Sequence, residues 1–161
     1  IHSGLVVARG EVVGFSHADL QCAPADLFRA YDLLQASPVP AKTLVKGRRA
    51  WRGWQAALIT GGMSAFATVV FQRSLRDLNA QPKVFPRALL DQFSAPPTGF
   101  EFDFYVTITA LRQGFAIATF PVTFGDRLHG VSTWNFSFLS RWRTIRRVAG
   151  YILALRLGRP W

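Results

Sequence analysis

The 161-residue chain is half hydrophobic and only 17% charged, which excludes a disordered polymer and allows one domain with a real core. Its net charge of +10 is uneven, because residues 131–161 carry six arginines and no acid; such a tail suits an anionic membrane surface or nucleic acid. Cys22 is the only cysteine, which excludes an internal disulfide and fits a reducing compartment.

The chain opens at Ile1 without a Met or a signal-peptide pattern, as a fragment or a processed product would. Its first ten residues read as the end of a helix closed by Gly10, with an apolar stripe of Leu5, Val6 and Ala8. Val12, Val13 and Phe15 predict a short buried strand over 12–16. His17, Asp19 and Gln21 follow at alternating positions, where the carboxyl end of a strand in an open α/β sheet offers side chains to a ligand. An imidazole, a carboxylate and an amide oxygen this close can hold a divalent cation, although a lone Asp after a strand is commonly a cap or turn residue. Pro24 and the spacing of Leu27, Ala30, Tyr31 and Leu34 predict a helix over 26–35, stopped by Ser37-Pro38-Val39-Pro40.

Thr43 to Lys46 reads as a strand ending at Gly47-Arg48-Arg49, where glycine admits a close ligand and two guanidiniums can grip phosphate; a solvated basic turn is the plainer alternative. Residues 54–73 predict a long apolar helix, broken or kinked at Gly61-Gly62. The uncharged run 53–71 passes for a membrane span by hydropathy, but its polar residues and flanking arginines favour a buried or interfacial helix. Asp77, Asn79, Gln81 and Lys83 form a polar cluster that suits a site loop or an ordinary Asx-type turn. Residues 85–93 read as a short helix begun by Pro86. Residues 99–113 fit strand or helix, and their length, Arg112 and Gly114 decide for helix. Residues 115–124 read as a strand that Pro121 confines to a sheet edge or a bulge. A second polar loop, 125–135, precedes a basic helix over 138–157 of interfacial composition, or one that covers its own core. Alternating strands and helices argue an α/β fold.

Five segments stand in the order of a family 2 glycosyltransferase with the GT-A fold: His17-Ala18-Asp19-Leu20-Gln21, Lys46-Gly47-Arg48-Arg49, residues 77–85, Glu101-Phe102-Asp103 and Arg127-Leu128-His129-Gly130-Val131-Ser132. The first resembles the Asp-x-Asp-type signature of dolichol- and polyprenyl-phosphate sugar transferases, with His17 in place of the first Asp. The last is similar to the family's Arg-x-x-Gly-x-Ser loop. The family's opening strand with its Pro-x-Tyr-Asn-Glu type motif, and the strand whose acid binds the nucleotide base, have no counterpart. The resemblance therefore implies the later half of a Rossmann-related catalytic domain over 1–135, with the nucleotide-binding half missing, and a basic helix over 136–161.

The resemblance implies a metal-dependent hexosyltransferase. It would take a nucleotide-sugar donor and pass the sugar to a lipid-linked or glycan acceptor, polyprenyl phosphate for example. The reaction would run at the cytoplasmic face of a membrane, with no nucleic acid partner and an isolated piece that is inactive. Asp19, with Gln21 and His17, would hold Mn²⁺ or Mg²⁺, the imidazole tilting the choice toward Mn²⁺. Arg48, Arg49, Asn79, Gln81, Arg127 and Ser132 would bind substrate. Asp103 is the first choice for a base, Asp77 the second, and Glu101 accompanies Asp103; the plainer role for Asp103 is a helix-start acid. A rival reading from composition is a non-catalytic basic module that binds membrane or nucleic acid.

Overall fold

A computed structural model describes residues 1–19, 21–49, 54–73, 75–125 and 138–158; side chains are described from residue 61 in the third helix and from 142 in the last. The elements run α1 (His2–Val7), β1 (Val12–Phe15), α2 (Ala25–Gln35), a 3-10 turn (Pro40–Lys42), β2 (Thr43–Arg49), α3 (Trp54–Phe71), β3 (Lys83–Pro86), α4 (Arg87–Leu90), α5 (Phe102–Arg112), β4 (Ala116–Val122) and α6 (Phe138–Leu157). The chain divides into two compact units, one of residues 1–51 and 79–128 and one of residues 52–78 and 129–161. The domain boundary expected at 135/136 falls outside the described residues.

The first unit is built on a mixed sheet of order β1-β3-β2-β4. β2 and β4 are parallel, and β3 runs antiparallel to both β1 and β2. Alternation along each strand gives the sheet two apolar faces. Val13, Phe15, Leu44 and Phe85 face Phe102, Val106 and Ala110 of α5, with Leu5, Leu89 and Leu90 completing that core. Val45, Val84, Phe120 and Val122 face Ala30 and Leu34 of α2. In the first core Phe15 packs on Phe102 at 5.5 Å between ring centres, and the Tyr105 hydroxyl accepts from Ser94 N–H (2.7 Å) and donates to Ser94 O (3.0 Å). Gly114, at φ +74°, closes α5 with the backbone bonds Gly114 N–H to Leu111 O and Phe115 N–H to Ala110 O, a conformation that glycine adopts without a Cβ penalty. Pro121 lies on β4, whose one strand partner among the described residues is β2, so the missing N–H costs no ladder bond on the other side.

Several expectations change. Gly47, Arg48 and Arg49 do not leave the strand: their pairing with Phe120, Pro121 and Val122 extends β2 to Arg49. Phe85 and Pro86 belong to β3, because Val84 and Phe85 each fill one face of the sheet, and only Arg87–Leu90 is helical. α3 continues through Gly61 and Gly62 without a break. On α2 Asp26, not Tyr31, joins Ala30 and Leu34 inside, and Tyr31 is exposed. Val6 of α1 is also exposed.

In the second unit α3 and α6 pack together, with Ala67, Val148, Tyr151 and Ile152 buried. Thr68 Oγ1 accepts from Leu75 N–H at 3.0 Å, and Arg156 Nε donates to Val70 O at 3.2 Å. Among the described residues no helix is long and apolar enough to cross a membrane.

Candidate functional site

Strand directions bring the carboxyl ends of β1, β2 and β4 and the amino end of β3 to one edge of the first unit's sheet. That edge carries His17, Asp19 and Gln21 after β1, Arg48 and Arg49 on β2, Asn79 and Gln81 before β3, and Phe124 and Gly125 after β4. Tight backbone contacts tie these segments together. Gly47 N–H donates to Pro82 O at 2.9 Å, Gly125 N–H to Gln21 O at 2.9 Å, and Cys22 bridges to Phe124.

Asp19 Oδ1 accepts from Gln21 N–H at 3.3 Å, an Asx-type turn that sets the carboxylate. Gln21 Nε2 donates to Gly125 O at 3.2 Å, so the amide presents oxygen as its ligating atom. His17, Asp19 and Gln21 are half-buried. They offer one imidazole, one carboxylate and one amide oxygen, donors that suit a divalent cation. No group of three His, Cys, Asp or Glu side chains comes together among the described residues.

Arg48 is exposed at the end of β2. The Arg49 guanidinium lies over the Phe124 ring, 4.1 Å from its centre, a cation–π contact that holds it to the β4 side. Asn79 Oδ1 and Gln81 Oε1 are buried oxygens without a hydrogen-bond partner. Asp103, the expected base, sits on the first turn of α5 and is buried. Its Oδ1 pairs with Lys83 Nζ and its Oδ2 accepts from Gln81 Nε2 at 2.9 Å, so both oxygens are engaged. Glu101 is buried at the N-cap position of α5 without a side-chain capping bond. Asp77 belongs to the second unit, half-buried with φ +51°. Arg127 and Ser132 lie outside the described residues.

Lys83, expected only as part of the polar cluster before β3, and Cys22, expected only as a lone thiol, are both buried beside this edge. Lys83 is fully buried opposite Lys46 across β3 and β2, on the α5 face of the sheet. Burial pushes its ammonium below the usual lysine value, the Asp103 carboxylate resists, and the positive charge of Arg49 adds to the fall. Cys22 Sγ lies 3.4 Å from Asp26 Oδ2 and 3.7 Å from Gln81 O, and Asp26 is itself paired with Arg29 at 2.7 Å. Burial first, then the Asp26 hydrogen bond and charge, push the Cys22 thiol up to about 11, against smaller opposite pulls from Ser16 and Arg49. Native Cys22 is therefore expected to react with iodoacetamide at pH 8 about two orders of magnitude more slowly than the denatured chain, because the thiolate is that much scarcer; a timed mass-spectrometric assay checks it. Nothing in the sequence pointed to the contact of Cys22 with Asp26, and Lys83 stood out only as one member of the polar cluster.

No protein-family model matches the chain. Solved structures do resemble it. Glucosyl-3-phosphoglycerate synthase from Mycobacterium tuberculosis in complex with Mn²⁺, UDP and phosphoglyceric acid matches with a TM-score of 0.70 and 19% identity, over 99% of this chain and 53% of that one. The same synthase with Mn²⁺ and UDP-glucose matches with a TM-score of 0.70 and 20% identity, over 99% and 54%. A mycobacterial protein matches with a TM-score of 0.69 and 20% identity, over 99% and 51%. The chain thus spans about half the length of the solved structures it matches. At these identities the likeness is one of fold: a mixed α/β sheet flanked by helices, of the GT-A-like glycosyltransferase type.

Proposed function

We propose that this chain is the later half of the catalytic domain of a metal-dependent hexosyltransferase, which passes a sugar from a nucleotide-sugar donor to an acceptor bearing a phosphate. The observation that carries the reading is the gathering of His17, Asp19, Gln21, Arg48 and Gln81 at one sheet edge, in a fold whose solved examples hold UDP with Mn²⁺ or Mg²⁺. Asp19, Gln21 and His17 would hold the cation. When bound, such an ion neutralises the diphosphate that leaves with the nucleotide. Arg48, exposed beside it, would contact phosphate bidentately. Asn79 and Gln81 would orient the substrate from the amino end of β3, and Arg127 and Ser132 would close over the donor.

The engagement of both Asp103 oxygens favours an acceptor that is already an anion, because such a nucleophile needs no strong base. Polyprenyl phosphate, whose attacking atom is a phosphate oxygen, has that chemistry; phosphoglyceric acid, with which the structural neighbour is in complex, shares the phosphate but also offers a hydroxyl. For a hydroxyl acceptor Asp77 is the remaining candidate base. In the full-length enzyme, Asp19→Ala is expected to lower transfer from labelled UDP-sugar by about a hundredfold, and an unchanged rate would remove Asp19 from the site.

For the acceptor we propose a lipid at the cytoplasmic face of a membrane. On α6, Trp142, Leu153 and Leu157 are exposed at helical spacing beside exposed Arg143, Arg146 and Arg147. At about 1 kcal/mol per arginine near an anionic surface, changing these three to Gln is expected to weaken co-sedimentation with phosphatidylserine vesicles by about a hundredfold. Equal binding of the variant and the parent would remove α6 from the contact. A basic binding module remains the second reading, favoured by the same arginines. Salt-sensitive nucleic acid binding without any response to Mn²⁺ would support it.

A further inference from the structure

Asp103 spends its carboxylate inside the protein, and the contacts it makes lead back to the cation-binding segment. Lys83 pairs with Asp103 Oδ1, and Asp103 Oδ2 takes the Gln81 amide N–H. Lys83, Asp103 and Gln81 are all buried, Lys83 and Gln81 to 0% exposure. An ionised carboxylate only accepts hydrogen bonds, so it fixes which end of the Gln81 amide faces it. The Gln81 main-chain carbonyl oxygen lies 3.7 Å from Cys22 Sγ, and the adjoining Pro82 main-chain carbonyl takes Gly47 N–H. Cys22 ends the segment 17–22, in which Gln21 N–H in turn binds Asp19 Oδ1. A buried charge pair is thus joined by named contacts to the segment that carries the candidate cation ligands.

We propose that Lys83 is a positioning residue: paired with Asp103 it fixes Gln81, and through Gln81 it holds the Cys22 end of the segment bearing His17, Asp19 and Gln21. The cation-binding part of this inference rests on the proposed function, and the positioning part does not. Asp103 then acts through Gln81 and need not touch an acceptor. A buried ion pair replaced by apolar groups of similar volume can leave stability unchanged, so the positioning role can be separated from the folding role.

Two double variants make that separation. Lys83→Met/Asp103→Asn removes the charges but keeps an oxygen to accept from Gln81. Lys83→Met/Asp103→Leu removes both. Thermal unfolding and Cys22 alkylation by iodoacetamide are measured on the 161-residue chain, and Mn²⁺-dependent UDP binding on the full-length enzyme. The Leu variant is expected to melt near the Asn variant yet to alkylate Cys22 about tenfold faster, because the segment opens locally more often. It is also expected to bind UDP with Mn²⁺ about tenfold more weakly, the size seen when a residue supporting a metal ligand is lost. If the Leu variant does not fold, Gln81→Leu with the ion pair intact takes its place, with the same expected change at Cys22. Equal alkylation rates in the Asn variant and the Leu or Gln81→Leu variant overturn the proposal. A full-length wild-type enzyme that binds no UDP with Mn²⁺ overturns the functional reading instead, and the alkylation rates still decide whether Lys83 positions the segment.

Discussion

Lys83→Met alone is expected to cost roughly 3–5 kcal/mol of folding stability, because it strands the Asp103 carboxylate inside the first unit. For a chain of this size that is a fall of about 10 °C or more in Tm. Asp103 is buried between Lys83 and Gln81, and deleting the ammonium leaves the Gln81 N–H as the side-chain donor to its carboxylate among the described residues. Adding Asp103→Leu should recover most of the loss, since the apolar pair removes the uncompensated charge. A double-mutant cycle in urea checks both numbers. Additive losses would mean that the two groups do not interact. The pair also has a pH signature. Lys83 has its folded pKa lowered, so between that value and 10.5 the unfolded chain binds more protons and stability rises with pH. Cys22 has its folded pKa raised from 9.0 to about 11, so stability falls with pH across that window. Removing the thiol with Cys22→Ala should therefore make the alkaline fall shallower.

Gly47→Ala is expected to be the most disruptive single methyl in the first unit. A Cβ at Gly47 would meet Gln81 O at 2.2 Å and Gln81 C at 2.8 Å, and both are backbone atoms that no side-chain rotation can move. The Val122 side chain at 3.0 Å closes the other direction. Relief requires β2 and the start of β3 to part, which breaks the bond from Gly47 N–H to Pro82 O. Overpacking of this kind costs about 1–3 kcal/mol and sometimes more. The displaced Gln81 also bears on Cys22, so faster Cys22 alkylation should accompany the lower Tm. A Gly47→Ala chain with wild-type Tm would show that the two strands do not pack this closely.

The elements that could be read from the sequence are those whose pattern is local. α2 announced itself by Pro24 and a helical stripe, α5 by its length and Gly114, and β4 by its β-rich run with Pro121 at an edge. β3 was hidden because Pro86 imitates a helix start, and the run before it is polar until Val84. Only its position between β1 and β2, with Val84 and Phe85 on opposite faces, makes it a strand. The end of β2 was misjudged for the same reason: Gly47-Arg48-Arg49 looks like a turn until β4 supplies parallel partners from 73 residues downstream. At the site, the segment 17–21 and Arg48 could be read from residue type and spacing. The Lys83–Asp103 pair could not. Twenty residues separate its members, and burial, which makes the pair matter, is a property of the packed sheet and α5.

The glycosyltransferase reading stands on the sheet edge at Asp19, and calorimetric titration of the full-length enzyme with UDP tests it most directly. The titration is run with Mn²⁺, without it, and on Asp19→Ala. Binding that requires Mn²⁺ and weakens by about tenfold or more in Asp19→Ala is the expected result. Binding that is indifferent to both Mn²⁺ and Asp19, or no binding at all, would contradict it.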